Sequence, residues 1–308
     1  MPEAIETQPA AEAPKLNVYQ MVTNTIIEQL EQGVIPWEKS WASTALNYAM
    51  DLPLNGTTEK YYRGINIILL WCSSIKNKFP IQEWAGLRQW NKDDEQVRAG
   101  EKGTMIVYYD TFQKEEDGEV KKIPFLKYSY VFNRSQLESF EPAEQEAKPL
   151  KKKTKGTKFE PIAEIDTFLE NTKAVIEKYD GTPCYNPVSD KILMPFPENF
   201  HGTKTATATE NYYSTHLHEL IHWSGKEGRC DRKFGKKFGD EKYATEELVA
   251  EFGAAFLCTG FGLPTVEKGD HSGYISHWLK VLKEDSRIVA TAANEASKAV
   301  DYLNNLMP

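Results

Sequence analysis

Three absences narrow the chain before any motif is considered. Cysteine is sparse: Cys72, Cys184, Cys230 and Cys258 stand far apart and form no CxxC pair, which suits reduced thiols and excludes a disulfide framework. No apolar run is long enough to span a membrane, and the opening MPEAIETQPAAEAPK has neither the charged start nor the apolar core of a secretion signal. The expectation is a cytoplasmic protein with no membrane partner. A surplus of positive charge is also missing. Lys and Arg number 37 against 45 Asp and Glu, a net charge of −8, so bulk charge gives no hold on duplex DNA, although a local basic groove stays open.

What is present is globular: 40% hydrophobic residues, 27% charged, and 308 residues, enough for two domains. Residues 1–14 are small, acidic and proline-containing and read as a disordered tail. Residues 15–140 read as an α+β domain. Val18, Met21, Val22, Ile26, Ile27 and Leu30 follow helical spacing up to Gly33, and a loop with Trp37 and Trp41 offers rings for packing or stacking. Further helices are predicted over Ile67–Ser74 and from Ile81 towards Trp90. A hairpin of Thr104–Tyr109 and Phe125–Asn133 should turn at Asp117-Gly118. Residues 141–160, with KKKTKGTK, read as a charged linker.

Residues 161–308 read as mostly helical with a small sheet. A helix is predicted over Ile162–Tyr179, then strands at Pro183–Asn186 and Lys191–Met194, the latter placed at a sheet edge because Pro195 and Pro197 close it. Helices over Thr207–Gly225, Tyr243–Thr259, Gly273–Lys283 and Ser286–Leu306 follow. The chemistry centres on the first of these, TATENYYSTHLHELIHWSG. His218 and His222 lie one turn apart on one face, so two imidazoles can hold one metal ion while Glu219 flanks them as a base. Tyr213, Leu217, Leu220 and Ile221 form the packed face, Thr207 and Glu210 have capping-box spacing, and His216 points away from the pair.

A catalytic zinc needs a third protein ligand and an open position. Glu247, 25 residues after His222 and on the next strong helix, can supply a carboxylate. Glu251, four residues on and on the same face, is assigned as partner to a ligating imidazole, although the two roles could be exchanged. In the first half, Tyr62, Arg63, Asn66, Trp84, Arg88, Trp90, Arg98 and Lys102 mix basic and aromatic side chains. That is the chemistry of single-stranded nucleic-acid grooves and also of ordinary surfaces. Basic and acidic residues nearly balance there.

HELIH followed by EELVAE resembles the gluzincin metallopeptidases, in which the first Glu of the second motif completes the zinc site. The wider chain resembles the ArdC family of antirestriction proteins, through NGTTEKYYRGIN, VRAGEKG and VFNRSQLE in the first half, and YNPVSDKILMP, YYSTHLHELIHWSG, EELVAEFGAAFL and HSGYISHWLKVLKED in the second. The resemblance implies an α+β chain: a domain binding single-stranded DNA through Tyr62, Arg63, Asn66, Trp84, Arg88, Arg98 and Lys102, then a zincin-like metallopeptidase domain. That second domain would hold one Zn2+, or another divalent metal, on His218, His222 and Glu247, with an unidentified protein substrate. It also points to His271, Tyr274 or His277 as stabiliser of the oxyanion, and His271 is assigned. Two other readings stand beside this one. In one, an antirestriction protein binds DNA without enzymatic activity and its metal is structural. In the other, a cytosolic metallopeptidase has a first domain that binds protein.

Overall fold

The computed structural model describes residues 17–38, 51–116, 119–141, 159–203, 206–233, 241–265 and 271–308. The tail, the KKKTKGTK run, Trp41 and the Asp117-Gly118 turn lie outside these residues. The α+β class is observed. α1 (Val18–Glu31) begins at Asn17, whose side chain accepts from the Gln20 N–H at 2.8 Å. β1 (Leu54–Asn55) precedes α2 (Ile65–Asn77). The helix predicted from Ile81 is instead β2 (Glu83–Ala85) and a single turn, α3 (Leu87–Trp90). β3 (Thr104–Glu116) pairs antiparallel along its whole length with residues 119–131 of β4 (Glu119–Asn133), past the predicted strand ends at the turn. The sheet order is β1-β2-β4-β3.

The second half starts with α4 (Ala163–Thr172), and here the helix predicted to reach Tyr179 stops early. Lys173 takes a left-handed conformation at φ 58° and releases the β-branched pair Val175-Ile176 into β5 (Val175–Lys178). β6 (Cys184–Asn186) and β7 (Lys191–Met194) complete a sheet of order β5-β7-β6. β7 is therefore central rather than at the edge. Pro195 and Pro197 lie beyond its last residue and remove no donor from its ladder. α5 (Ala208–Ser224), α6 (Glu241–Gly260), α7 (His271–Glu284) and α8 (Ile288–Asn304) follow. No helix among the described residues is long and apolar enough to cross a membrane.

One hydrophobic cluster runs through both halves. It holds Val22, Ile26 and Leu30 of α1 and Ile67, Ile68 and Trp71 of α2, together with the inward faces of α5, α6 and α8. Aromatic edges tie the halves: Trp37 on Phe252 with centroids 5.0 Å apart, and Trp71 on Phe256 at 5.8 Å. Two glycines stand where a side chain would be strained or crowded. Gly64, at φ +57°, lies against the α8 backbone and donates its N–H to Ser297 Oγ at 2.8 Å. Gly253 sits where α6 crosses α5, and a Cβ there would lie 2.7 Å from Ile221 Cδ1.

Candidate metal centre and cleft

The helix that carries the histidines is fixed at its start. The Thr207 hydroxyl accepts from the Glu210 N–H at 3.2 Å, and the Glu210 carboxylate accepts from the Thr207 N–H at 2.8 Å. Of its 17 residues only Thr215 and His218 escape burial. Both sides of α5 are thus packed, and the cleft reaches it along one narrow strip. The rings of His218 and His222 stand with centroids 4.9 Å apart.

Glu247 meets them from α6. Its two oxygens lie 3.7 Å from His218 Nε2 and 3.7 Å from His222 Nε2, too far for hydrogen bonds. Donor atoms of all three residues fall within 4.8 Å of one another. Ligands about 2.0–2.1 Å from a tetrahedral zinc stand roughly 3.4 Å apart, so the three side chains fit a divalent ion with a small contraction. The small residue Gly253 lets α6 come this close.

The other nitrogen of His222, Nδ1, lies 3.0 Å from Glu246 Oε1. Glu246 is held in turn by Arg232, through Nε at 2.9 Å and Nη2 at 2.8 Å, and Arg232 also donates to Ser224 Oγ and the Ile221 carbonyl. This buried chain turns Nε2 of His222 towards Glu247. Burial alone would lower the His222 pKa, but the Glu246 bond and the charges of Glu247 and Glu219 raise it to about 9. For Glu247, burial pushes upward and is outweighed by His218, His222 and the Tyr243 hydroxyl, which bring it down to about 2. The carboxylate at His222 is therefore Glu246, not Glu251. Glu251 lies one turn beyond Glu247 along α6, about 6 Å, and lines a cavity with Ser214, Thr215 and His218.

Glu219 is 7% exposed, and its Oε2 accepts from the backbone N–H of Tyr185 on β6 at 2.8 Å. Pro183 and Pro187, two residues to either side of Tyr185, line the cleft and carry no N–H. Cavities of about 220 Å³ and 360 Å³ share His218, Glu219 and Pro183 as lining. His271 lines neither cavity: it is exposed, its Nε2 is 3.0 Å from the Gly33 carbonyl, and its Nδ1 is 3.9 Å from Glu38 Oε2. Within that stretch the side chain lining the smaller cavity is Tyr274, whose hydroxyl accepts from Trp37 Nε1 at 3.1 Å. His216 is buried with both ring nitrogens unpartnered, and burial lowers its pKa to about 3.

The DNA-binding candidates do not form one surface. Trp84 is fully buried, its indole N–H on Gln82, and Trp90 is 1% exposed, donating to the Phe132 carbonyl. Tyr62 is half-buried and bonded to Asn55 and the Trp84 carbonyl. Asn66 closes the free edge of β3 through both polar groups of Val107, at 2.8 Å each. Arg63 pairs with Asp301 of α8, and Arg98 holds the carbonyls of Leu137 and Ser135 besides Glu101. Arg88 and Lys102 are exposed. Tyr128 and Tyr130 of β4 are 46% and 50% exposed on one face, while Tyr108 of β3, at 47%, pairs with Lys127 on the other; the period-two pattern of KYSYVF could have singled out the first two.

Comparison with known proteins gives two matching family models. Residues 16–132 match the N-terminal domain of anti-restriction factor ArdC, and residues 163–295 a zincin-like metallopeptidase. Protein y4eC of Sinorhizobium fredii is 30% identical, over 94% of this chain and 92% of its own length. Two DNA primases TraC of Escherichia coli are 32% and 31% identical, and the chain spans only 20% and 27% of their lengths. Crystal structures of the antirestriction protein ArdC from plasmid R388, metal-free and Mn(II)-bound, are 36% and 34% identical. Each superposes with a TM-score of 0.75 over 94% of this chain and 98% of that one.

Proposed function

The chain belongs to the ArdC family of antirestriction proteins, and from that premise we propose a metal-dependent peptidase joined to a module that binds single-stranded DNA. The carrying observation is the convergence of His218, His222 and Glu247 beside Glu219 in one cleft. Two imidazoles and a carboxylate are the donor set of catalytic zinc sites, and zinc is the proposed metal; the R388 relative has been crystallised with Mn(II). A metal on these three residues supplies a Lewis acid and an acidified water.

The chain's own groups do the rest. Glu219, steadied by the Tyr185 N–H, removes a proton from the attacking water and delivers it to the leaving amine. Glu246 and Arg232 keep His222 in one orientation. Tyr274, rather than His271, is the side chain of the His271–His277 stretch that lines the cavity beside His218 and Glu219. Opening of the site onto a cleft supports catalysis over a closed structural metal. The test is a Glu219→Gln variant loaded with Zn(II): one equivalent of metal retained, with loss of cleavage across a mixed peptide library, is expected. Cleavage at the wild-type rate overturns the reading.

For DNA, we propose that Arg88 and Lys102 contact phosphates while Tyr128 and Tyr130 stack bases, in place of Trp84. Tyr128 and Tyr130 share a face of β4, with centroids 5.9 Å apart.

A further inference from the structure

The smaller cavity is not built by the peptidase half alone. The loop after α1 contributes Ile35, Trp37 and Glu38, while α6 and α7 contribute Glu251 and Tyr274. Trp37 is locked in place by its edge contact with Phe252 at 5.0 Å and its hydrogen bond to Tyr274. The cavity opens beside His218 and Glu219, so whatever enters it lies next to the reacting bond.

At about 220 Å³ the space suits one long side chain and is below the size of a typical small-ligand pocket, roughly 300–1,000 Å³. Its walls include an aliphatic side chain and two aromatic rings. Besides Glu219, two carboxylates, Glu38 and Glu251, one from each half, line it, and no Lys or Arg does among the described residues. The Glu38 side chain is only 9% exposed, so its charge acts in a largely water-free setting. Both carboxylates act on the same point: after burial itself, the charges of Glu251 and Glu38 are among the causes that raise the pKa of Tyr274. Each has polar contacts already, yet an ionised carboxylate accepts at about four lone-pair positions.

We infer that this cavity is a side-chain subsite beside the scissile bond, built across the two halves, and that it takes a lysine or arginine side chain of a peptide. The methylene stem lies along Ile35 and the rings of Trp37 and Tyr274, and the cationic end meets Glu38 and Glu251. An acidic side chain meets like charge, and a short one leaves the cavity unfilled. The inference rests on the peptidase reading above and adds a substrate class to it.

The test measures binding to the full-length protein loaded with Mn(II), by anisotropy. The probes are labelled peptide hydroxamates that differ only in one side chain, Lys, norleucine or Glu, placed on either side of the metal-binding group. The Lys probe should bind on the order of 10- to 100-fold tighter than norleucine, the worth of a hydrogen bond to a charged group, and Glu should bind weakest. Glu38→Gln and Glu251→Gln should each close most of that gap with metal content unchanged; two variants from different halves guard against one that fails to fold. Tight binding with no preference for Lys overturns the subsite alone, as does a gap that survives both variants. No binding by any probe overturns the peptidase reading together with it.

Discussion

Replacing Gly253 by alanine tests whether helix spacing places the third ligand. The added methyl would sit 2.7 Å from Ile221 Cδ1, 2.8 Å from Cγ1 and 3.1 Å from Cγ2, against about 3.5–4.0 Å for relaxed carbon contacts. Cδ1 can swing aside, but Cγ1 and Cγ2 are attached to the same Cβ and cannot both retreat. The helices must therefore part by something near 1 Å at this crossing. Overpacking of this kind costs about 1–3 kcal/mol, which appears as a lowered Tm. The larger effect falls on the metal, because His218 and His222 ride on α5 and Glu247 on α6, and ligand distances tolerate about 0.2 Å. Zn(II) affinity should fall by at least tenfold in a chelator competition, and Ile221→Ala in the same chain should restore much of it. Gly253→Ala with unchanged Tm and unchanged affinity would refute the argument that this contact sets the site.

Other outcomes follow from the same geometry. His222→Ala should strip the metal and remove the stabilisation that loading confers; elemental analysis with unchanged stoichiometry counts against the ligand assignment. His222, raised to about 9 from an ordinary value near 6.5, contributes stability to the metal-free protein below about pH 6.5 that is lost as the pH rises to 9. Metal must displace that proton, so loading at pH 7 should release about one proton. Calorimetry in buffers of different ionisation heat checks this, and heats independent of buffer argue against it. Glu246→Gln leaves Arg232 without its charge partner and should lower metal affinity about 10- to 100-fold, read by the same competition. Tyr128→Ala should weaken binding of a single-stranded oligonucleotide by about 1–3 kcal/mol in anisotropy on the full chain, whereas Trp84→Ala should lower Tm; the reverse pattern would return the stacking role to Trp84.

The α5 helix was legible because its evidence is local: a cap, a spacing of four and a glycine stop all fall within one stretch. Glu247 was legible from a helix-to-helix distance in sequence. Glu246 was not, because three carboxylates within six residues look alike until Arg232 selects one, and that arginine lies in a stretch that reads as surface loop. Trp84 and Trp90 read as stacking candidates by type, while their burial depends on β2 pairing with β4, a contact across some 50 residues. Lys173 ended a helix early by adopting a conformation that residue type does not announce. The core shared by α1, α2 and the later helices is likewise a long-range property, and a charged run between the halves conceals it.

An open sheet edge ordinarily invites another strand, since its unpaired N–H and C=O groups template pairing with a second chain. β6 is such an edge, beside an open cleft. Backbone groups of an antiparallel strand alternate in direction, and at the positions turned from β7 the donors are gone. Glu219 holds the N–H of Tyr185, and Pro183 and Pro187 have none. An edge of carbonyls alone cannot complete the donor–acceptor ladder that strand addition requires. The β6 edge can thus border a solvent-open cleft without templating a further strand. Pro187→Ala would return a donor to that edge, and with it the strand-to-strand association that the native sequence withholds.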